Sequence, residues 1–287
     1  MTSWTVYHER IPEIVVPGKR LGRHVRRDSR SLAYPYQRTG QTLSSQLWTR
    51  HIPILNQGNV GSCTGNAETG ALGTDPLNIS MPPGVVLDET MALRLYSAAE
   101  TIDGDGPYPP NDNGSTGSSA CQAADNLGLI SGYTHCAALN DVLDALQAGP
   151  VILGMNWYSS FDSPSSSGLV SISPNASVRG GHEVVTRGID ITAQTIFLDN
   201  SWDTSWGLKG SFTMSWTTLD RLMSEQGDGT VSVPLTAPAP VPVPVNDPDI
   251  TLWQQVQLWA AQRRMRPDLV KLQGSLKTWA HAKGYNG

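Results

Sequence analysis

Asn56-Gln57-Gly58-Asn59-Val60-Gly61-Ser62-Cys63-Thr64-Gly65-Asn66-Ala67 sets a cysteine directly behind a glycine-rich turn, with a carboxamide six positions upstream. The small residues that follow predict a buried helix over Thr64 to Leu72, capped by Ser62 and opened by Cys63. In that position the positive end of the helix dipole lies beside the sulfur and favours thiolate over thiol. Gln57 sits on the turn, within reach of the same place. Its NH2 and the Cys63 backbone N–H together would make an oxyanion hole. Gly58 and Gly61 let the chain double back far enough for the two donors to converge.

A thiol nucleophile needs a base, and the base needs a group to hold its ring. Gly180-Gly181-His182-Glu183-Val184-Val185 puts a histidine at the head of a β-branched run, as a strand start would. The apolar run Ile196-Phe197-Leu198 leads into Asp199-Asn200-Ser201-Trp202, so Asn200 falls at the end of another strand. If the two strands are neighbours, His182 and Asn200 lie side by side. Asp199 is the rival for orienting the ring. Adjacent strand residues face opposite ways, so one of the two reaches it.

Three separated motifs now stand together: the Gln-Gly-x-x-Gly-Ser-Cys turn, the Gly-His strand, and the Asn-Ser-Trp…Ser-Trp-Gly…Gly block from Asn200 to Gly210. They resemble the papain-like cysteine peptidases, over roughly Ile52 to Gln226. The resemblance implies an α+β fold of two lobes, a helical lobe with a central helix and an antiparallel, barrel-like β lobe. It also implies roles: Cys63 as nucleophile, His182 as base and acid, Asn200 as ring-orienter and Gln57 as oxyanion donor. Ser62 and Gly61 support the nucleophile, and Trp202 shields the His182–Asn200 hydrogen bond from water. Asn200 would orient an imidazolium without competing for its charge. Two positions depart from plant and animal members. Val60 stands where they carry a disulfide cysteine, and Thr64 where they carry tryptophan. The Gly-Ser-Cys-Thr form is closer in style to bacterial and bacteriophage members. The wording from Trp48 to His51 and from Gly73 to Pro76 resembles papain-like proteins of actinobacterial phages.

Composition agrees with an enzyme-like domain. A net charge of -5 argues against a dedicated nucleic-acid binder, and 39% hydrophobic residues argue against wholesale disorder. Three cysteines cannot all pair, so Cys121 and Cys136 read as buried thiols, with a bridge between them as the alternative. Met1-Thr2-Ser3-Trp4 opens no signal peptide, and no apolar run reaches the length of a membrane span. Host cytoplasm or a phage virion is the expected location. No cofactor or metal is expected. Asp103-Gly104-Asp105-Gly106 has a calcium-loop look, but Pro107 occupies the third ligand slot and a plain loop is the better reading.

The chain divides into an N-terminal arm (1–50), the peptidase domain (51–232), a proline-rich linker (233–248) and a two-helix module (249–287). Ile11 to Pro17 reads as a short edge strand bounded by prolines. Lys19, Arg20, Arg23, Arg26, Arg27 and Arg30 form a basic run, expected as a solvated, partly helical arm. A contact for an acidic partner surface or nucleic acid, and a pro-piece covering the cleft, are its alternatives. Helices are expected over Glu89–Ala99, Ser115–Leu127 and Leu139–Leu146, and strands from Val151 and over Leu169–Ile172, Glu183–Ile189, Thr195–Leu198 and Gly210–Met214. Leu252, Trp253, Val256 and Trp259, then Leu269, Leu272, Leu276 and Trp279, mark the module's two apolar faces. They fold back on the peptidase or dock to another protein. The expected function is peptide-bond hydrolysis on a peptide or protein substrate through a thioester. Two other readings remain open: a papain-fold assembly module of a phage particle, and a peptidoglycan endopeptidase.

Overall fold

Helix α1 (Cys63–Leu72) has no solvent face, for all ten of its residues are buried. Its glycines and alanines are poor helix formers or small, so burial rather than propensity holds it. Gly65 shows why small residues are needed. A Cβ there would lie 2.8 Å from the Tyr96 nitrogen, on helix α2 (Glu89–Asp103). The Asp88 carboxylate caps α2 by accepting from Met91 N–H, and Gly104 ends it in the left-handed region. Helix α3 (Gly117–Asn126) is capped by Thr116, and α4 (Leu139–Ala145) follows. Leu72, Leu77, Leu95, Ala124 and Ile130 build the core of this helical lobe.

The computed structural model describes residues 7–27 and 33–235. Strands β1 (Tyr7–Glu9) and β2 (Val25–Arg27) pair antiparallel in a small sheet of their own. The main sheet has eight strands: β3 (Gln46–Leu47), β4 (Tyr133–Cys136), β5 (Val151–Tyr158), β6 (Leu169–Val170), β7 (Val178–Asp190), β8 (Thr195–Asp199), β9 (Ser211–Ser215) and β10 (Asp228–Ser232). Their order is β4-β10-β5-β7-β8-β9-β6, with β3 on β7. Pairing is antiparallel except between β6 and β9, which run parallel. The central strand β7 is buried along most of its length, between β5 on one side and β8 on the other. Helix α5 (Trp216–Ser224) links β9 to β10, its N-terminus capped by the Ser215 hydroxyl. Trp157, Phe161, Trp202, Trp206 and Phe212 crowd edge to face in the core of this lobe. The α+β architecture read from the sequence is the one observed.

The N-terminal arm departs from expectation. Residues 10–24 join β1 to β2 as an extended strap, with no strand over Ile11–Val16 and no helix over residues 19–27. Prolines 12 and 17 offer no N–H, and from the middle of that stretch Ile14 donates to the Arg179 carbonyl (2.7 Å). In the part of the basic run whose side chains are described, Arg20 and Arg23 do not form a solvated face. Arg20 pairs with Glu13 (3.0 Å) and Arg23, 2% exposed, with Asp228. Carboxylates on the strap itself and across it recruit these charges. Arg30 lies outside the described residues, as do the linker beyond Leu235 and the two-helix module. Among the described residues, no helix is long and apolar enough to cross a membrane.

Candidate active site

Cys63 opens α1 and is fully buried. The backbone N–H groups of Glu183 and Thr64 act on its sulfur in favour of thiolate. Glu183 is the residue after His182 on β7, the strand on which α1 packs. His182 Nε2 lies 2.8 Å from Asn200 Oδ1, and the same oxygen accepts the Ser201 N–H. That bond leaves Nδ1, which has no hydrogen-bond partner, as the ring atom free to exchange a proton. Trp202 stacks on the imidazole (centroids 4.9 Å, 28° between planes) and Trp157 meets it edge-on at 4.7 Å. Trp157 had no part in the sequence reading. Its indole signals only as one more aromatic in an apolar strand.

Asp199, the rival orienter, faces away from the ring. Its carboxylate is held by Arg50 (3.3 Å), Arg187 (2.8 Å) and the Ser211 hydroxyl. Gln57 lies beside the site, fixed by Ser201, whose hydroxyl donates to Gln57 Oε1 (2.6 Å). Its Nε2 donates to the Val60 carbonyl at 2.9 Å. One of the two amide hydrogens is thereby committed, and the second remains for an oxyanion. Gly58 takes φ of 57°, and Gly61 N–H donates to Asp112 (2.8 Å). Ser62 needs correcting as a cap. It makes no side-chain capping bond, and its hydroxyl donates to Asn66 Oδ1 (2.8 Å) instead. With ψ of 18° its backbone has already turned away from the extended form a capping hydroxyl requires.

The strap covers all of this. Gly22 passes against Gly61 so closely that a Cβ on Gly22 would overlap the Gly61 carbonyl. Gly22 and Arg23 N–H both donate to the Gly181 carbonyl (3.1 and 3.0 Å), while Ser115 on the helical lobe donates to Gly22 O and accepts from His24 N–H. Trp202 Nε1 donates to the Arg20 carbonyl (3.1 Å). Beneath it, burial pushes the Cys63 thiol far above its usual range, with the Glu183 and Glu13 carboxyls adding to the effect and the two N–H donors opposing it. Burial also holds His182 down to about 3, against the pull of Asn200. The covered cleft therefore favours neutral thiol and neutral imidazole, not the ion pair expected from the helix dipole alone.

All three cysteines are free thiols. Cys121, on α3, donates its S–H to Glu68 Oε2 (3.2 Å), and the Ser232 hydroxyl donates to its sulfur at 3.4 Å. Cys136 is buried at the end of β4.

The sequence model of the family described as papain family cysteine protease matches residues 86–225, which carry His182 and Asn200. No curated protein sequence matches the chain. Among solved structures, xylellain, a cysteine protease from Xylella fastidiosa, is similar in fold at 18% identity and TM-score 0.61, over 77% of this chain and 97% of its own. Digestive procathepsin L 3 of Tenebrio molitor larval midgut is similar at 17% identity and TM-score 0.51, over 69% of this chain and 73% of its own. Residues 86–225 thus match the papain family of cysteine proteases, and the fold is papain-like.

Proposed function

We propose that the chain hydrolyses peptide bonds with Cys63 as nucleophile, and that the strap of residues 10–24 keeps it latent. The observation that carries this reading is the arrangement around β7: an imidazole oriented by Asn200 beneath Trp202, on the strand against which the helix opened by Cys63 packs. Once the strap is withdrawn, water re-enters and the burial that holds both groups neutral is relieved. His182 takes the Cys63 proton, and the thiolate attacks the substrate carbonyl. The Cys63 N–H and Gln57 Nε2 stabilise the oxyanion, each such donor contributing about 3 kcal/mol in the transition state. Imidazolium then protonates the leaving amine, and the neutral ring activates water to hydrolyse the thioester.

Motif style supports a bacterial or bacteriophage setting, with host cytoplasm or virion as the place of action. Residues 249–287 are proposed to dock a protein partner. A second reading, a papain-fold assembly module with little turnover, draws support from the closed cleft. Incubating full-length Arg23→Ala protein with a broad peptide library separates the two. Turnover that disappears in the Arg23→Ala/Cys63→Ala double variant supports the peptidase, and no cleavage in either supports the module.

A further inference from the structure

Arg23 belongs to the strap, yet its side chain lies inside the domain, 2% exposed. Nη2 donates to the Asp228 carboxylate (2.5 Å) and to the Gln226 carbonyl (2.7 Å). Glu183, on the strand that carries His182, supplies a second acid. A Cβ placed on Gly154 would fall under 3.0 Å from Arg23 Nε, Asp228 Oδ1 and Glu183 Oε2 alike. Glycine at 154 thus floors a pocket that any other residue would fill. Gly117, at the start of α3, makes room for the Glu183 carboxyl in the same way. Glu183 is 1% exposed, and its Oε2 has no hydrogen-bond partner, nor has Arg23 Nη1.

We propose that Glu183 and Asp228 form a substrate pocket for a basic side chain, filled by Arg23 while the strap is in place and by an arginine of the target peptide once it leaves. The proposal rests on the peptidase reading above. The cleft is bounded by two backbone edges, Gly181 beside His182 and Ser115 on the helical lobe, and Arg23 lies along both. A peptide that offers its carbonyl to Cys63 must run between the same edges, so one of its side chains meets the same pocket. Removing Arg23 strands buried acid groups without their cation, which is unfavourable until another cation enters. A guanidinium presents forked donors to two carboxyl groups, whereas an ammonium offers a point charge, so arginine is favoured over lysine. Burial and the nearby Asp228 raise the Glu183 carboxyl well above its usual range, while Arg23 lowers it.

The test uses full-length Arg23→Ala protein and three-residue peptidyl epoxides carrying Arg, Lys, Leu or Glu in turn at each position, with the rate of Cys63 alkylation read by mass spectrometry. At one position Arg should outpace Leu by about tenfold or more and Glu should be slowest, since breaking a buried charge pair costs at least that factor. Asp228→Asn in the same background should erase the preference. Glu183→Gln should reduce it, and provides the test if Asp228→Asn does not fold. Alkylation that shows no arginine preference at any position, or a preference untouched by both substitutions, overturns the pocket and leaves the peptidase standing. Cys63 that no probe alkylates, in a protein with native circular dichroism, overturns the peptidase reading and the pocket with it.

Discussion

Cys63 and Cys121 are both fully buried thiols on helices of the same lobe, and their neighbours make them chemically opposite. Cys63 sits at a helix N-terminus, where the Glu183 and Thr64 backbone N–H groups favour a negative sulfur against the Glu183 and Glu13 carboxyls. Cys121 sits mid-helix against Glu68, whose carboxyl opposes ionisation, and it shares Ser232 with that acid. Burial pushes both thiols up, and a nearby carboxyl adds to it in each case, Glu183 for Cys63 and Glu68 for Cys121. What separates them is what happens on exposure: opening the strap relieves Cys63, while Cys121 stays among the side chains of α1, α3 and β10. Position on a helix and the polarity of the nearest hydrogen-bonding groups decide which thiol can become a nucleophile.

The largest expected effect tests that contrast directly. In the Arg23→Ala background, Cys63→Ala should lower peptide hydrolysis by at least about 10⁴-fold, as loss of a nucleophile does. Cys121→Ala should leave it within a fewfold, and an equal loss from both would erase the distinction. Next, Gln57→Ala should lower kcat by about 10²-fold with little change in KM, because its amide serves the transition state. A rise in KM alone would make Gln57 a ground-state contact.

Gly22→Ala probes the cover rather than the chemistry. The added methyl overlaps the Gly61 carbonyl, and overpacking of this kind costs on the order of 1–3 kcal/mol, enough to speed Cys63 alkylation by about tenfold. Unchanged alkylation would mean the strap does not gate the thiol. The smallest effect concerns pH. His182 is held neutral in the fold at about 3, below the ordinary histidine value, so its contribution to stability is present at neutral pH and is lost as pH falls through about 6.5 toward 3. The buried acids Glu68 and Glu183, raised by burial, act oppositely, penalising the fold as pH climbs above the ordinary carboxyl range. His182→Gln should therefore narrow the fall in Tm between pH 7 and pH 4. An unaltered difference would show that His182 is not what titrates.

Much of the site was legible because its signals are local. A turn of Gly58 and Gly61 before Cys63, a β-branched run after His182 and an apolar run before Asn200 each announce one element, and strand adjacency did the rest. The helices Cys63–Leu72, Glu89–Asp103, Gly117–Asn126 and Leu139–Ala145 all fell on their expected segments. Helix α5 went unread because Trp216, Thr217 and Thr218 carry strand propensity at its start, which the Ser215 cap and tertiary packing override. Strand β10 was missed because Asp228-Gly229-Thr230 offers no apolar alternation. Its residues are buried by pairing with β4 and β5 rather than by a hydrophobic face. The strap was misread for a related reason. A basic run reads as solvated until the carboxylates that meet it, Asp112 and Asp228, are brought in from distant parts of the chain. Trp157 and the Glu183–Asp228 pocket depend on the same long-range assembly.

Cys63, rather than another buried thiol, is the nucleophile proposed to work with His182. The most direct measurement is the site of covalent labelling when full-length Arg23→Ala protein is inactivated by a peptidyl epoxide, mapped by peptide mass spectrometry. The account predicts one equivalent on Cys63, with the label gone in His182→Ala at the same exposure time. Label on Cys121 or Cys136, or label on Cys63 that forms equally fast without His182, would contradict it.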